Sequence, residues 1–154
     1  MAVENKPNIL YVDDDVNCLD AFKALYRRHY QIYTALSADR AKIVIAENDI
    51  HVLLTDQRMP EVTGTTLLEY AVNNYPKLVR ILISGYGDDV AVMLSMHKGH
   101  IVDFVSKPWN VDDLKKQIDF AYDVYCRNIE EERKSTEAEE ANKRDDREIG
   151  NLFE

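Results

Sequence analysis

Three carboxylates stand in a row at Asp13, Asp14 and Asp15, directly after the apolar run at residues 9–12. Similar runs end in other polar groups: Val-Leu-Leu-Thr closes on Asp56, Val-Arg-Ile-Leu-Ile closes on Ser84, and Ile-Val-Asp-Phe-Val-Ser is followed by Lys107. Adjacent like charges repel, so carboxylates at close quarters need a cation or solvent to offset them. The chemistry such a set suits is cation-dependent, with one carboxylate covalently modified. That requires elements able to bring four separate parts of the chain to one place.

The five apolar runs predict strands at residues 8–12, 30–35, 50–55, 79–84 and 101–106. Segments with helical spacing lie between them. The first begins at Asp15 and puts Val16, Leu19, Phe22, Ala24 and Leu25 largely on one face. The second is capped by Ser37 and uses Ala41, Val44 and Ile45. The third runs from Gly64 through Leu67, Leu68 and Ala71 to Tyr75-Pro76. The fourth extends from Asp88-Asp89 to Gly99, and the fifth starts at Asn110 with Val111, Leu114, Ile118, Ala121 and Tyr125. Strand–helix alternation repeated five times predicts a parallel sheet covered on both faces by right-handed crossovers. Ligand crevices in such sheets lie beyond the carboxyl ends of the strands, which is where Asp13, Asp14, Asp56, Ser84 and Lys107 fall.

Bulk properties narrow the function classes. A chain of 154 residues with 45% hydrophobic composition can bury a sizeable core. The net charge of −9 argues against a nucleic-acid footprint, and more than half of it comes from residues 130–154, with ten acids against five bases. Cys18 and Cys126 lack metal-ligand spacing, and no apolar run reaches the roughly 18 residues of a membrane span. The N-terminus does not resemble a secretion signal, so a cytoplasmic setting is expected. His29, His51, His97 and His100 form no cluster in the sequence and are expected at the surface.

Val-Asp-Asp-Asp at 12–15, Asp-Gln-Arg-Met-Pro-Glu-Val-Thr-Gly at 56–64, Leu-Ile-Ser-Gly at 82–85 and Ser-Lys-Pro at 106–108 occur in order. Over about residues 8–127 they resemble the receiver domain of two-component response regulators, in the subgroup with Lys-Pro-Trp after the last strand. The resemblance implies a flavodoxin-like, doubly wound five-stranded parallel sheet of order 2-1-3-4-5 with five helices, the last extended. It implies phosphoryl transfer from a sensor histidine kinase or phosphotransfer protein to Asp56, with Mg2+ required. By position, Asp14 resembles the direct metal ligand and Asp13 the one acting through water. The main-chain carbonyl of Arg58 completes the protein ligands together with Asp56. Ser84 and Lys107 would contact phosphoryl oxygens, and Phe104 occupies the aromatic switch position. Arg58 and Tyr86 fall where the family tunes dephosphorylation. The protein would be no enzyme beyond its own phosphorylation and dephosphorylation, and its output would be a changed protein-interaction face.

Competing readings are a receiver-like interaction module that is never phosphorylated, and an aspartate-based phosphohydrolase with Asp13 as nucleophile. Asp15 alone reads as a helix cap, Ser84 alone as a strand-end turn residue and Phe104 alone as core. Lys107-Pro108 is expected to be cis, because X-Pro is where a cis peptide costs little and a tight turn must aim the lysine. Trp109 either covers the mouth of the site or packs beneath it. The expected division is a receiver at residues 1–129 and a charged helical extension or linker at 130–154. Of the 19 residues at 130–148, 14 are charged, which suits a solvated helix supported by pairs such as Glu130–Lys134, Glu139–Lys143 and Glu140–Arg144. A signalling helix that pairs with a second copy, giving a homodimer through the fifth helix and its extension, is the sharper alternative. No direct nucleic-acid or membrane partner is expected, and no downstream effector is indicated.

Overall fold

The computed structural model describes residues 5–152. Five strands, β1 (Asn8–Val12), β2 (Gln31–Ala35), β3 (Val52–Asp56), β4 (Val79–Ser84) and β5 (Asp103–Ser106), pair in parallel in the order β2-β1-β3-β4-β5. The helices between and after them are α1 (Val16–Tyr26), α2 (Ala38–Glu47), α3 (Gly64–Asn74), α4 (Asp89–His97) and α5 (Val111–Leu152). The parallel sheet expected from the strand–helix alternation is therefore observed, in the flavodoxin-like order that the family resemblance implies.

Alternation along each strand builds a core on either face of the sheet. Ile9 and Tyr11 of β1, Val52 and Leu54 of β3, and Ile81 and Ile83 of β4 face α1 and α5. Leu10, Val12, Leu53 and Leu82 face α2, α3 and α4. β3 is buried at every position because it has neighbours on both edges and helices on both faces.

Helix starts follow the sequence closely. Asp15 accepts the Asn17 N–H, Ser37 accepts that of Arg40, and Thr63 accepts that of Thr66. Each satisfies a donor that the first helical turn leaves free. Asn110 does the same for α5 by accepting from the N–H groups of Asp112 and Asp113.

Several expectations shift. β2 begins at residue 31, β3 spans Val52–Asp56, and β5 is shortened to Asp103–Ser106. On α1 the buried stripe is Leu19, Phe22 and Tyr26, while Val16, Ala24 and Leu25 are exposed. Val111 is exposed, and α5 docks through Leu114, Ile118 and Ala121. Tyr26 and Tyr30 reach across to α5, donating to the Val111 carbonyl and the Asp119 carboxylate at 2.7 and 2.6 Å. Burial moves the Tyr26 hydroxyl up to about 12. His51 is not a surface histidine. Its Nδ1 accepts the Asn8 N–H at 3.0 Å, and its ring packs against Tyr125.

α5 continues without a break across residue 130, and residues 130–150 are exposed throughout. At about 1.5 Å per residue the 42-residue helix is roughly 63 Å long. Lys77 pairs with Glu132 where the helix leaves the sheet. Further along, Arg133 pairs with Glu130 and Glu137 in place of the three pairs anticipated.

Candidate functional site

Parallel register brings the strand ends to one edge. Val12 pairs with Thr55, Asp56 with Ile83, and Ser84 with Ser106. The residue after each strand, or its last, thus opens onto a shared crevice.

Asp13, Asp14 and Asp56 each present a carboxylate oxygen there, all within 4.8 Å of one another. Asp13 is fully buried, Asp56 is 8% exposed, and Asp14 faces solvent. Lys107 enters from the loop after β5, behind a cis peptide bond to Pro108. Its Nζ donates to Asp13 Oδ2 at 2.8 Å and to Asp56 Oδ2 at 3.3 Å. Two of the three carboxylates pair with this one ammonium group and Asp14 does not, leaving an excess of negative charge held by oxygen donors. That donor set fits a hard divalent cation.

The two buried carboxylates are electrostatically distinct. Burial alone would push Asp13 up, but the Lys107 ammonium, the Asp15 N–H at 3.0 Å and the Tyr11 hydroxyl at 2.7 Å outweigh it, and Asp13 is held below the usual carboxylate range. Asp56 is pushed above that range by burial and by the charge of Asp13, with Lys107 only partly offsetting them. Lys107 is held above its ordinary value because its two carboxylate partners outweigh its own burial. Asp13 is therefore the better satisfied anion of the two, and Asp56 the less compensated one.

Ser84 is nearly buried at the end of β4. Its hydroxyl donates to the Val105 carbonyl at 3.3 Å, so it is turned toward β5. Phe104 is 39% exposed, with its ring on the outer surface rather than in the core. Arg58 follows Asp56 by two residues, and its guanidinium reaches the loop after β4. Trp109 is partly buried and packs edge-on against Tyr11 with ring centroids 6.0 Å apart, against the core on the α1–α5 face of the sheet. Gly85 is open: a Cβ there would meet only Asp88 Oδ2, at 3.6 Å.

Three residues of the site escaped the sequence reading. Tyr11 supplies the buried donor to Asp13, and burial followed by the Asp13 hydrogen bond drives its hydroxyl far above the usual tyrosine range. Gly64 lets α3 start against β3, since a Cβ there would lie 2.2 Å from the Asp56 carbonyl oxygen. Asp88, placed at a helix start by its sequence, is buried and bonded to the loop before it.

The model of the response regulator receiver domain family matches residues 9–119. The hydrogenase transcriptional regulatory protein HoxA of Cupriavidus necator is 32% identical over 111 residues, which is 72% of this chain and 23% of HoxA. The chain thus spans about a quarter of the length of that relative. Among solved structures, one of adenylate cyclase from Rhodopirellula baltica superposes with a TM-score of 0.80 at 27% identity, covering 82% of this chain and 95% of that one. A CheY-like response regulator receiver domain protein from Methanospirillum hungatei gives 0.75 at 28%, covering 80% and 99%.

Proposed function

Since the chain belongs to the response regulator receiver domain family, whose standard function is to accept a phosphoryl group on an aspartate, we propose that the acceptor here is Asp56. The observation that carries this is the Lys107 ammonium bridging Asp13 Oδ2 and Asp56 Oδ2 within the cluster of three carboxylates. Asp13, fully buried and held by three donors, is a poor nucleophile by comparison, which speaks against the phosphohydrolase alternative.

In this reading a carboxylate oxygen of Asp56 attacks the phosphorus of a phosphohistidine or acyl phosphate. The new P–O bond forms as the bond to the donor's nitrogen or oxygen breaks, and the electron pair leaves with the donor. Asp13, Asp14, Asp56 and the main-chain carbonyl of Arg58 would hold Mg2+. When bound, the ion would offset the negative charge of nucleophile and phosphoryl group. Lys107 exchanges part of its contact with Asp13 for a phosphoryl oxygen, and Ser84 leaves the Val105 carbonyl to donate to another. Each charge-assisted contact is worth about 1.5–3 kcal/mol. Two of them approach the roughly 5.5 kcal/mol that takes a two-state equilibrium from 1:99 to 99:1. Movement of Ser84 and Phe104 would reshape the surface of α4, β5 and α5, where Val90, Met93 and Phe120 are exposed.

The donor is a sensor histidine kinase or phosphotransfer protein, and the setting is cytoplasmic. Among the described residues no helix is long and apolar enough to cross a membrane. The chain acts as a signalling domain whose only catalysis is its own modification. Residues 1–129 form the receiver and 130–154 the charged extension, through which two copies would associate. To test the acceptor, the protein is treated with an acyl phosphate donor and Mg2+, trapped by borohydride reduction and mapped by peptide mass. Reduction at residue 56 supports the assignment, and reduction at residue 13 or 14 refutes it.

A further inference from the structure

The loop at residues 85–88 joins Ser84 to α4, and it is tied to the loop after β3 by a connection that phosphoryl transfer does not require. Asp88 is 6% exposed, and both oxygens of its carboxylate are engaged. Oδ2 accepts the Gly85 N–H at 2.7 Å, and Oδ1 accepts Arg58 Nε at 3.0 Å. An aspartate before a helix ordinarily caps an N–H of the first turn, but Asp88 makes no such bond to α4. Its acceptors point back at the loop instead. The Arg58 fork makes a second contact, Nη2 donating to the Tyr86 carbonyl at 2.7 Å. Gly87, with φ +89, lies against this guanidinium, and a Cβ there would stand 2.7 Å from Nη2. Asp88 and Arg58 also line one cleft with Asp14.

Ser84 immediately precedes Gly85, so a backbone shift that carried Ser84 from Val105 toward Asp56 would pull on the Gly85 N–H, and through it on Asp88 and Arg58. We propose that Asp88 is a positioning residue which, with Arg58, forms a latch holding the 85–88 loop where Ser84 faces Val105. The switch then works against the latch, and weakening the latch lowers the cost of switching. This rests on Asp56 being the phosphoacceptor. Because Arg58 is largely exposed, the latch carries the modest worth of a half-exposed pair, about fivefold in an equilibrium.

The test compares wild type with Arg58→Ala, Asp88→Asn and the double variant, adding Arg58→Lys, which keeps the charge but loses the fork. Amide hydrogen exchange at Gly85 and Asp88, read by NMR on unmodified protein, should rise about fivefold in each single variant and no further in the double. Arg58→Lys should fall between, and the amides of Leu53 and Ile81 should stay protected. Phosphorylation of Asp56 by an acyl phosphate donor with Mg2+ should accelerate by a similar factor in Asp88→Asn. Wild-type exchange at Gly85 in Arg58→Ala, or full additivity in the double variant, overturns the latch. The Arg58 substitution, at an exposed side chain, keeps the test valid should Asp88→Asn unfold. Exchange that responds as stated in a chain that never takes up a phosphoryl group upholds the latch and instead refutes the acceptor assignment.

Discussion

Replacing Lys107 by methionine tests whether one ammonium group holds the acidic crevice together. Its Nζ lies 2.8 Å from Asp13 Oδ2 and 3.3 Å from Asp56 Oδ2. At an effective dielectric constant near 20, unit charges roughly 3 Å apart attract by about 5–6 kcal/mol each, and desolvation cancels most of that. Breaking a buried ion pair costs about 3–5 kcal/mol. Lys107 is 29% exposed, so a loss of about 2–3 kcal/mol is expected, a drop in Tm of roughly 6–9 °C. Thermal unfolding at pH 7 without divalent ions reads this directly.

Acid should restore the variant. Asp56 has a folded-state pKa above its ordinary value, so its contribution favours the fold below the ordinary carboxylate range and is lost as pH rises through the folded value. Without Lys107 that value rises further, and the deficit shrinks as pH falls toward about 5. Asp13 works in the opposite sense. Its depressed value supports the fold above the ordinary range, and that support is lost only as pH falls through the lower folded value. Magnesium should narrow the deficit at pH 7 because the variant has lost the competing cation. A variant that melts with wild type, or a deficit indifferent to both magnesium and pH, would refute this electrostatic account.

Tyr11→Phe removes a buried hydrogen bond to an ionised carboxylate and should cost about 1.5–3 kcal/mol in urea unfolding without a change in m-value. Gly64→Ala forces α3 away from the Asp56 carbonyl and should cost at least about 2 kcal/mol by the same assay, the larger effect of overpacking against backbone. Deleting residues 134–154 should leave Tm within about 2 °C, since positions 134–150 are exposed. A larger fall would show that this segment supports the fold.

β1 and β4 were legible to the residue because neither run carries a polar face, and β3 was legible in all but its bounds, expected at 50–55 and observed at Val52–Asp56. β5 was overestimated because an apolar run reports burial, not ladder pairing. Ile101 is buried in the core from the connection that follows Gly99 at φ +71, and pairing with β4 begins at Asp103. On α1 the hydrophobic count favoured Leu25, yet Tyr26 is the buried residue because its hydroxyl finds the Val111 carbonyl. The carboxylates and Lys107 were visible as polar groups closing apolar strands. Tyr11 could have been found, since residues two apart on a strand share a face and Asp13 is two beyond it. Asp88 could not, because its charge at a helix start has a sufficient local explanation, and only the fold brings Arg58 to it.

The most direct measurement is intact mass after exposure to an acyl phosphate donor, with and without Mg2+, on wild type and Asp56→Asn. The account predicts a gain of one phosphoryl group by wild type that needs Mg2+ and is absent in the variant. The same gain in Asp56→Asn, or a gain by wild type that is indifferent to Mg2+, would contradict it.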